Sequence, residues 1–483
     1  MGGLQAKFEQ AVALHQQGKL ADAERIYKKV LQRQPDHFDA LHFLGVIAAQ
    51  TRRPDRAVEL IKKAVALNPQ SHAAYSNLGN ALQSLKRHPE ALASYDKAIA
   101  LYSNSAEVYS NRGVALQYMK RPLEGLASCD KAITLRPDYA NAHSNRGNIL
   151  RNLNRPADAL VSYERAIALK PDYAEAHWNE GLCLLQLGRF EKGWRQHEWR
   201  KKCGLPIAAR SFPHPLWLGD EDIAGKTLFI WWEQGLGDTI QFSRYAKLAE
   251  ARGAKVIMSV QQPLRELLKQ LSPTIEMIGP DETPATFDYH CPIMSLPLAF
   301  RTTLETIPAE PRYLAADEEL KAVWAARLPA KTKPRIGIAW SGNQAYQNDH
   351  NRSMELKQFL PILSADAEWI CVMKDIRPND LALLKQDGRI AFFGDELKDF
   401  RDTAALLDQV DLVITTDTSA PHLAGAMGKP VWILLAFDPD WRWLLERNDC
   451  PWYPSARMFR QQQFDGWAGV IDQVRGELRA VIG

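Results

Sequence analysis

The stretch NLGNALQSLKRHPEALASYDKAIALYSNSAEVYS (residues 77–110) is followed directly by NRGVALQYMKRPLEGLASCDKAITLRPDYANAHS (residues 111–144). Both stretches begin with asparagine, have glycine as their third residue and carry a small residue twelve positions after that glycine. The same period of 34 residues places glycine at five positions: Gly45, Gly79, Gly113, Gly147 and Gly181. A fixed period of this length indicates stacked supersecondary units, not one mixed core.

The spacing within each unit is that of the tetratricopeptide (TPR) repeat, which is a pair of amphipathic helices. Proline follows the repeat glycine by 24 residues at Pro69, Pro137 and Pro171, and it marks the end of the second helix because it has no amide hydrogen. One unit cannot bury its own apolar face, so the units stack into a superhelix with a concave groove. We therefore predict an all-α superhelix of five to six repeats over residues 1–205.

A row of asparagines accompanies the repeat glycines. Asparagine is a poor helix former, so its recurrence in register needs a physical reason. Two explanations remain open: hydrogen bonds within the repeats, or amides that pair with the backbone of an extended peptide, since each amide offers a donor and an acceptor. The second explanation predicts a peptide-binding row that consists of Asn77, Asn80, Asn111, Asn145, Asn148 and Asn179. This row resembles the asparagine ladder in the TPR superhelix of O-linked N-acetylglucosamine transferase.

Composition narrows the function classes. The 483 residues carry a formal net charge of +3 and no basic block, so we do not expect nucleic acid as a partner. The six cysteines form no C-x-x-C pair and lie near no histidine at ligand spacing, so we expect no metal site. No stretch approaches the roughly 18–20 apolar residues of a membrane span, and the amphipathic N-terminus lacks a signal peptide. We expect a cytoplasmic protein.

The pattern changes at about residue 225, where short β-rich runs begin to alternate with helical stretches. This alternation is typical of parallel sheets covered by helices. A linker rich in alanine, lysine and proline divides the runs into two sets. We therefore predict an α/β region of two Rossmann-like halves with a cleft between them, over residues 206–325 and 326–483, the second half ending in a closing helix.

The first of three candidate loops follows the strand TLFIWW and opens a helix with Gly235, Gly237 and Asp238. The two glycines permit tight backbone geometry and the close approach of a ligand. Asp238 lands at the start of the helix. It is either a helix-capping residue or a general base at the cleft, and the motif alone does not separate these roles.

The second loop follows the strand RIGIA and contains Ser341, Gly342 and Asn343, with Arg352 a little further on. A strand that ends in a loop of small residues suits a phosphate held by backbone amides. Arg352 then offers a charge-assisted, two-pronged contact to that phosphate. The other interpretation is an exposed polar loop with Arg352 on the surface.

The third loop follows the strand DLVITTD. Asp417 ends the strand, and Thr418 and Ser419 precede a helix whose first turn contains His422. Free amides and the positive end of the dipole make such a helix start attractive to a diphosphate. His422 is either a satisfied helix-start residue or a donor to that phosphate. Further aromatic residues either stack a nucleobase or pack the interior: Trp441, Trp443, Trp452 and Tyr453.

Two of these loops carry a family resemblance. The runs EQGLGDTIQFSRY (233–245) and TTDTSAPHLAGAMGKPVWILL (415–435) resemble the ADP-heptose:lipopolysaccharide heptosyltransferase family of GT-B enzymes. The resemblance implies a nucleotide-sugar donor held mainly by the C-terminal half and a metal-independent, inverting transfer without a cofactor. It implies that Asp238 is the base and that Asp417, Thr418 and His422 match the Asp-Thr-Gly-x-x-His motif. Ser419 stands where that family has glycine, and the phosphate-contacting lysine falls near Arg352.

A repeat superhelix joined to such a region resembles TPR-bearing glycosyltransferases that act on proteins. We therefore predict an enzyme that transfers a sugar from a nucleotide sugar to a protein side-chain hydroxyl, with the acceptor polypeptide in the TPR groove. A TPR interaction scaffold with an inactive or sensing GT-B domain is the second possibility. The third is a lipopolysaccharide-core transferase with appended repeats, which gives no role to a peptide-binding groove.

Overall fold

The computed structural model describes residues 2–204, 210–346, 348–464 and 466–482, and the chain divides into two compact units. The first unit is Met1–Ala176 and the second is His177–Gly483. This division lies inside a helix that the 34-residue pattern assigns to the repeats, so the second unit begins with repeat-like helices. The domain boundary that the sequence predicts between residues 205 and 206 lies outside the described residues.

In the first unit, the described residues form consecutive α-helices, and each pair of helices packs against the next pair. The helices are α1 (Gly2–Gln16), α2 (Leu20–Arg33), α3 (Phe38–Gln50), α4 (Pro54–Leu67), α5 (His72–Ser84), α6 (His88–Leu101), α7 (Ala106–Tyr118), α8 (Pro122–Leu135), α9 (Ala140–Asn152) and α10 (Pro156–Leu169). The first unit is thus the all-α repeat array that the sequence predicts.

The repeat glycines lie where two helices of one repeat touch. A Cβ atom on Gly79 would lie 2.5 Å from the Tyr95 ring, and one on Gly147 would lie 2.6 Å from the Tyr163 ring. Any larger residue would force the paired helices apart. This close contact explains why glycine recurs at the period of the array.

The second unit contains strands and helices in alternation. Its described strands are β1 (Thr227–Trp231), β2 (Lys255–Ser259), β3 (Glu276–Ile278), β4 (Tyr289–Pro292), β5 (Arg335–Ala339), β6 (Glu368–Cys371), β7 (Ile390–Phe392), β8 (Leu412–Thr416), β9 (Val431–Leu435) and β10 (Ala456–Arg460). Its described helices, of which the first starts just before the division, are α11 (Ala174–Gln186), α12 (Phe190–His197), α13 (Leu236–Phe242), α14 (Arg244–Ala251), α15 (Gln262–Leu268), α16 (Leu296–Ala299), α17 (Glu318–Arg327), α18 (Asp349–Arg352), α19 (Leu356–Phe359), α20 (Pro378–Asp387), α21 (Phe400–Asp408), α22 (Ser419–Ala426) and α23 (Trp467–Ile482).

The strands form two parallel sheets. The first has the order β3-β2-β1-β4, and the second has the order β10-β9-β8-β5-β6-β7. In register, Phe229 of β1 lies opposite Ile257 and His290, and Ile338 of β5 lies opposite Cys371 and Ile414. These sheets agree with the predicted α/β class.

Each sheet contains one place where the strand order reverses. In the first sheet the chain leaves β1 toward β2 and β3 and returns to the other side of β1 as β4. In the second sheet it leaves β5 toward β6 and β7 and returns to the other side of β5 as β8. Ligands of open parallel sheets bind outside the carboxyl ends of the strands at such reversals. The three candidate loops follow β1, β5 and β8, which are the strands at these two points.

Helix α12 and the turn after it are anchored to the first half of the α/β region by buried polar contacts. The Trp194 indole donates to the carbonyl of Thr302 at 2.9 Å. Just after α12, Arg200 is 1% exposed and donates to both carboxylate oxygens of Glu233 at 3.2 and 2.7 Å. Glu233 begins the first candidate loop, so the last helical hairpin and that loop share a buried ion pair.

Among the described residues, no helix is both long enough and apolar enough to cross a bilayer.

Candidate functional site

The three loops meet in the second unit. A Cβ atom on Gly237 would lie 2.6 Å from Cδ2 of His422, so the start of α13 lies directly against α22. A Cβ atom on Gly342 would lie 3.2 Å from Cγ2 of Thr418, which brings the loop after β5 to the loop after β8. The loops therefore lie in close contact at both glycines, and residues from the edges of both sheets form one site.

Asp238 is the third residue of α13, and both of its carboxylate oxygens are engaged. Oδ2 accepts the backbone N–H of Gly235 at 2.7 Å, which is a helix-capping contact. Oδ1 accepts a hydrogen bond from the Arg442 guanidinium. Burial raises the pKa of Asp238, while the positive charge of Arg442 opposes that rise. The capping role is thus present in the structure, together with a charged partner that the sequence pattern did not indicate.

Arg442 is the principal site residue that sequence reasoning missed. It follows β9, in the segment DPDWRW, and only 6% of it is exposed. Nε donates to Gln241 at 2.7 Å, Nη1 donates to Asp440 at 2.8 Å, and Nη2 donates to Asp238. The one available signal was an arginine between two tryptophans, and that pattern names no partner.

His422 is a buried, neutral group. Its Nδ1 lies 3.0 Å from the Tyr453 hydroxyl, and its ring stacks at 5.4 Å on Trp443. Burial holds the pKa of His422 well below its usual range, and the positive charges of Arg442 and Arg244 act in the same direction. A neutral imidazole can donate one hydrogen bond, but it does not bring a charge to a phosphate.

The four aromatic residues noted in the sequence belong to the interior. They are at most 5% exposed and lie in the main hydrophobic core of the second unit: Trp441, Trp443, Trp452 and Tyr453. The structure therefore favours packing over nucleobase stacking for this group, because a buried ring offers no open face to a ligand.

The start of α22 has the features of an anion site. Thr418 is the capping residue, and its hydroxyl accepts the N–H of Ala420 at 3.3 Å. Ser419 is the first residue of the helix. Asp417, at the end of β8, is partly buried, and its pKa is raised by burial and by the negative charge of Asp440. The positive charge of Arg352 opposes this rise.

The loop after β5 supplies shape more than open donors. Ser341 is buried, and its hydroxyl lies 4.0 Å from the sulfur of Met373. The backbone N–H of Gly342 donates to Ser353 at 2.9 Å, so this amide already has a partner. Asn343 is exposed, and its side chain accepts the N–H of Ala345 at 2.9 Å. The predicted amide cradle is therefore occupied by contacts of the loop itself at Gly342.

Arg352 retains donors for a ligand. Its guanidinium lies 4.3 Å from the centre of the Tyr346 ring, and its nearest carboxylate contact among the described residues is Asp349 at 3.6 Å. Nε of Arg352 is buried and has no hydrogen-bond partner in the described part of the chain. A buried donor without a partner costs free energy, so a bound anion at this position gains a strong contact.

The asparagine row is paired along the array. In the first unit, the side-chain nitrogen of Asn77 lies 2.9 Å from His42, that of Asn111 donates to Asn80 at 2.9 Å, and that of Asn145 donates to Ser110 at 2.9 Å. The carboxamide oxygens of Asn80 and Asn148 accept tyrosine hydroxyls, from Tyr95 and Tyr163, each at 2.8 Å. Asn179 lies on α11, in the second unit, and is half-buried. Hydrogen bonds within the array are therefore present, as the first of the two explanations expects.

Comparison with known proteins identifies the repeats. A tetratricopeptide repeat family profile matches residues 8–72 and 44–106, and a second TPR repeat profile matches residues 147–188. Protein FlbA of Caulobacter vibrioides is 28% identical over 320 residues, which cover 61% of this chain and 53% of FlbA. The chain thus spans about half the length of this curated relative.

Solved structures with similarity to the chain include two proteins that each match less than half of it. MamA is 25% identical with a TM-score of 0.32, and the match covers 36% of this chain and 96% of MamA. PilF of Pseudomonas aeruginosa is 20% identical with a TM-score of 0.37, and the match covers 42% of this chain and 91% of PilF. At these scores the structural matches carry no argument about function. The matched region is longer than the first unit, so the similarity to FlbA extends into the second unit. The N-terminal half of the chain contains tetratricopeptide repeats.

Proposed function

We propose that the second unit is a GT-B glycosyltransferase that moves a sugar from a nucleotide donor to a side-chain hydroxyl of a protein. In this proposal the tetratricopeptide repeats bind the acceptor polypeptide, and the edges of the two parallel sheets bind the donor. The reaction inverts the anomeric centre and needs no metal ion. The binding screen described below identifies the nucleotide and the sugar of the donor.

One observation carries the proposal: Gly237 touches His422. This contact joins the carboxyl end of β1, with the carboxylate of Asp238, to the N-terminus of α22, where the positive end of the helix dipole suits a phosphate group. The two strands concerned, β1 and β8, lie at the order reversals of their sheets. A carboxylate and an anion-binding helix start, held side by side, are the two parts that a nucleotide-sugar transfer needs.

The proposed chemistry is a single displacement. Asp238 accepts the proton of the acceptor hydroxyl while that oxygen attacks the anomeric carbon. The bond between the anomeric carbon and the phosphate oxygen breaks, and the pair of electrons leaves with the diphosphate. The positive end of the α22 dipole, an N–H of His422 and the guanidinium of Arg352 stabilise the negative charge that develops on this leaving group.

The repeats supply acceptor binding in this proposal. The bonds made by Asn77, Asn111 and Asn145 use their side-chain nitrogens, so these bonds leave the carboxamide oxygens available as acceptors. These oxygens can accept backbone N–H groups of an extended peptide. In the second unit, Gln186 at the end of α11 donates to the carbonyl of Pro439 at 3.2 Å, two residues before the Trp441–Arg442 pair. The last repeat helix therefore contacts the segment that carries Arg442.

A binding screen tests the donor site. The melting temperature of the purified chain is measured with ADP-, GDP-, UDP- and CMP-linked sugars and with the free nucleotides, because a ligand well above its Kd raises the melting temperature. We expect a shift with one nucleotide class. The Asp238→Asn variant should keep that shift and lose sugar transfer to a protein acceptor by about 10²- to 10⁴-fold, the usual contribution of a general base.

A matched control separates catalysis from helix capping. Asp317 is also a helix-capping carboxylate, since it accepts the N–H of Leu320 at 3.1 Å at the start of α17. Asp317→Asn makes the same chemical change away from the site and should leave transfer intact. Full transfer activity in Asp238→Asn would remove this residue from the mechanism.

A TPR interaction scaffold is the second candidate, and the repeats themselves favour it, because tetratricopeptide repeat profiles match the chain and such repeats commonly bind proteins. A scaffold would give no thermal shift with any nucleotide or nucleotide sugar, and would still bind polypeptide through the repeats.

A further inference from the structure

Arg442 joins the two sheets of the second unit at one carboxylate. It follows β9 of the second sheet, whereas its partners Gln241 and Asp238 lie on α13, which follows β1 of the first sheet. Asp440, two residues before Arg442, accepts a hydrogen bond from Nη1 of the guanidinium at 2.8 Å. The guanidinium therefore bridges a carboxylate on one half of the fold to a carboxylate on the other.

The surroundings leave Arg442 little freedom. The side chain is 7% exposed, and its guanidinium lies 4.4 Å from the Trp441 ring centre and 5.6 Å from the Phe242 ring centre. Each guanidinium nitrogen has a hydrogen-bond acceptor: Gln241, Asp440 or Asp238. The planar guanidinium, held by directed hydrogen bonds and flanked by aromatic rings, is therefore fixed in one orientation. Its hydrogen bond in turn orients the Asp238 carboxylate.

We propose that Arg442 is a positioning residue that holds the Asp238 carboxylate in one orientation and supplies its counter-charge. The inference rests on the proposed function, since it assigns Asp238 the role of base. With Oδ1 held by Arg442 and Oδ2 held by Gly235, the carboxylate plane is fixed from both sides. The acceptor hydroxyl then meets a carboxylate that does not have to rotate.

The charged groups around Asp238 come from several elements. Those that act on its ionisation or lie against its helix are Arg442 and Asp440 after β9, Arg352 at the end of α18, the neutral His422 on α22, and Arg244 on α14. Burial and Asp440 favour the protonated carboxyl, and Arg442 is the largest opposing influence. Removal of Arg442 therefore raises the pKa of Asp238.

The pH dependence of transfer tests this role. Asp238 acts as a base only when ionised, so the acid limb of the transfer rate follows its pKa. In Arg442→Gln the limb should move to higher pH by about one unit or more, the usual influence of one adjacent opposite charge. Arg442→Lys keeps the charge but loses the planar fork, so it should keep the limb and lower kcat. An unmoved limb in Arg442→Gln would overturn the proposal.

The control lies on the same segment. Arg447 is also an arginine after β9, but its partner is Asp449, at 2.5 Å, and not Asp238. Arg447→Gln should leave both the limb and kcat unchanged. A shift of the limb in this variant as large as that in Arg442→Gln would mean that any lost positive charge moves it, which contradicts a specific role for Arg442.

A stability cycle makes the test independent of activity. The urea midpoint is measured for Arg442→Gln, Asp238→Asn and the double variant at neutral pH. If Arg442 acts on Asp238, its replacement lowers the midpoint less in the Asp238→Asn background than in the parent chain. Equal losses overturn the inference even if transfer is observed. Unequal losses in a chain that transfers no sugar support the pairing and place the failure in the proposed function.

Discussion

Gly237 lies against the imidazole of His422, with 2.6 Å between the position of a Cβ on the glycine and Cδ2 of the ring. The glycine is the second residue of α13, the first helix after β1, and the histidine lies on α22, the helix after β8. The contact has no room for a methyl group, and the loops of two different sheets meet there.

Gly237→Ala tests this contact. The added methyl group must displace a buried ring, so we expect a loss of about 1–3 kcal/mol in the free energy of unfolding and a weaker thermal shift with nucleotide. Gly476→Ala is the control, because Gly476 is an exposed helix residue with open space at its Cβ position. That change should stabilise the chain by about 0.5–1 kcal/mol. Urea denaturation measures both, and a neutral Gly237→Ala would contradict the close packing.

Arg352→Gln tests the anion site. The variant removes a guanidinium with a buried, unpaired Nε, so we expect nucleotide affinity to fall by about 10- to 100-fold, the value of one charge-assisted hydrogen bond. Isothermal titration with the nucleotide class found in the screen measures the change. Arg327 is the matched control, because it also lies over an aromatic ring, at 4.8 Å from Trp324, and pairs with Glu396. Equal affinity in Arg352→Gln and Arg327→Gln would exclude Arg352 from the site.

The asparagine row is tested by a double variant. Asn111→Ala with Asn145→Ala removes two carboxamide oxygens, so we expect weaker binding of a polypeptide acceptor while hydrolysis of the donor survives. The same variant loses two internal hydrogen bonds, at about 0.5–1.5 kcal/mol each. Peptide affinity and donor hydrolysis are measured separately.

Ser110→Ala controls for that structural loss. It removes the partner of Asn145 and leaves the asparagine itself in place. If Ser110→Ala and Asn145→Ala weaken acceptor binding equally, the row is structural and the peptide-binding role is lost. A larger effect of Asn145→Ala supports direct contact with the peptide.

Acid stability tests the state of His422. Its pKa in the folded chain lies well below its usual range because the ring is buried near arginines. Below about pH 6.5 the unfolded chain therefore binds a proton on this histidine more readily than the folded chain does. The contribution of the neutral, buried ring to the free energy of unfolding is fully present above that pH and is lost as the pH falls. We expect His422→Gln to weaken the fall of the urea midpoint between about pH 7 and 5. His72→Gln, which makes the same substitution at an exposed imidazole, is the matched control.

The repeat array was predictable because its information is local. A period of 34 in glycine is visible without any knowledge of the partners, and Tyr95 beside Gly79 only explains why the glycine is needed. The meeting of the loops was also within reach, since Asp238 and Thr418 both follow parallel strands and such strands end at one edge. The sequence thus predicted that these loops lie close together, but it did not predict which side chains touch.

Arg442 was not predictable by the same reasoning. Its partners Asp238 and Asp440 are separated by some two hundred residues, and only the packing of one sheet against α13 brings them together. The role of Gly342 was hidden in a similar way, because the partner of its amide, Ser353, is fixed by a turn of α18. Contacts across the fold depend on tertiary packing, which carries no signal in the spacing of one chain segment.

The buried pair of Arg200 and Glu233 constrains how this gene can change length. Repeats multiply by duplication and deletion of whole units, and an array tolerates such events wherever one unit meets another like itself. The final hairpin is followed by the α/β region instead of another repeat, and Arg200 just after it is committed to Glu233 at the start of the first loop. Loss of that hairpin would leave a buried carboxylate without its counter-charge, a cost of several kcal/mol. The array is therefore free to grow or shrink from its N-terminal end, while its last unit is inherited together with the α/β unit.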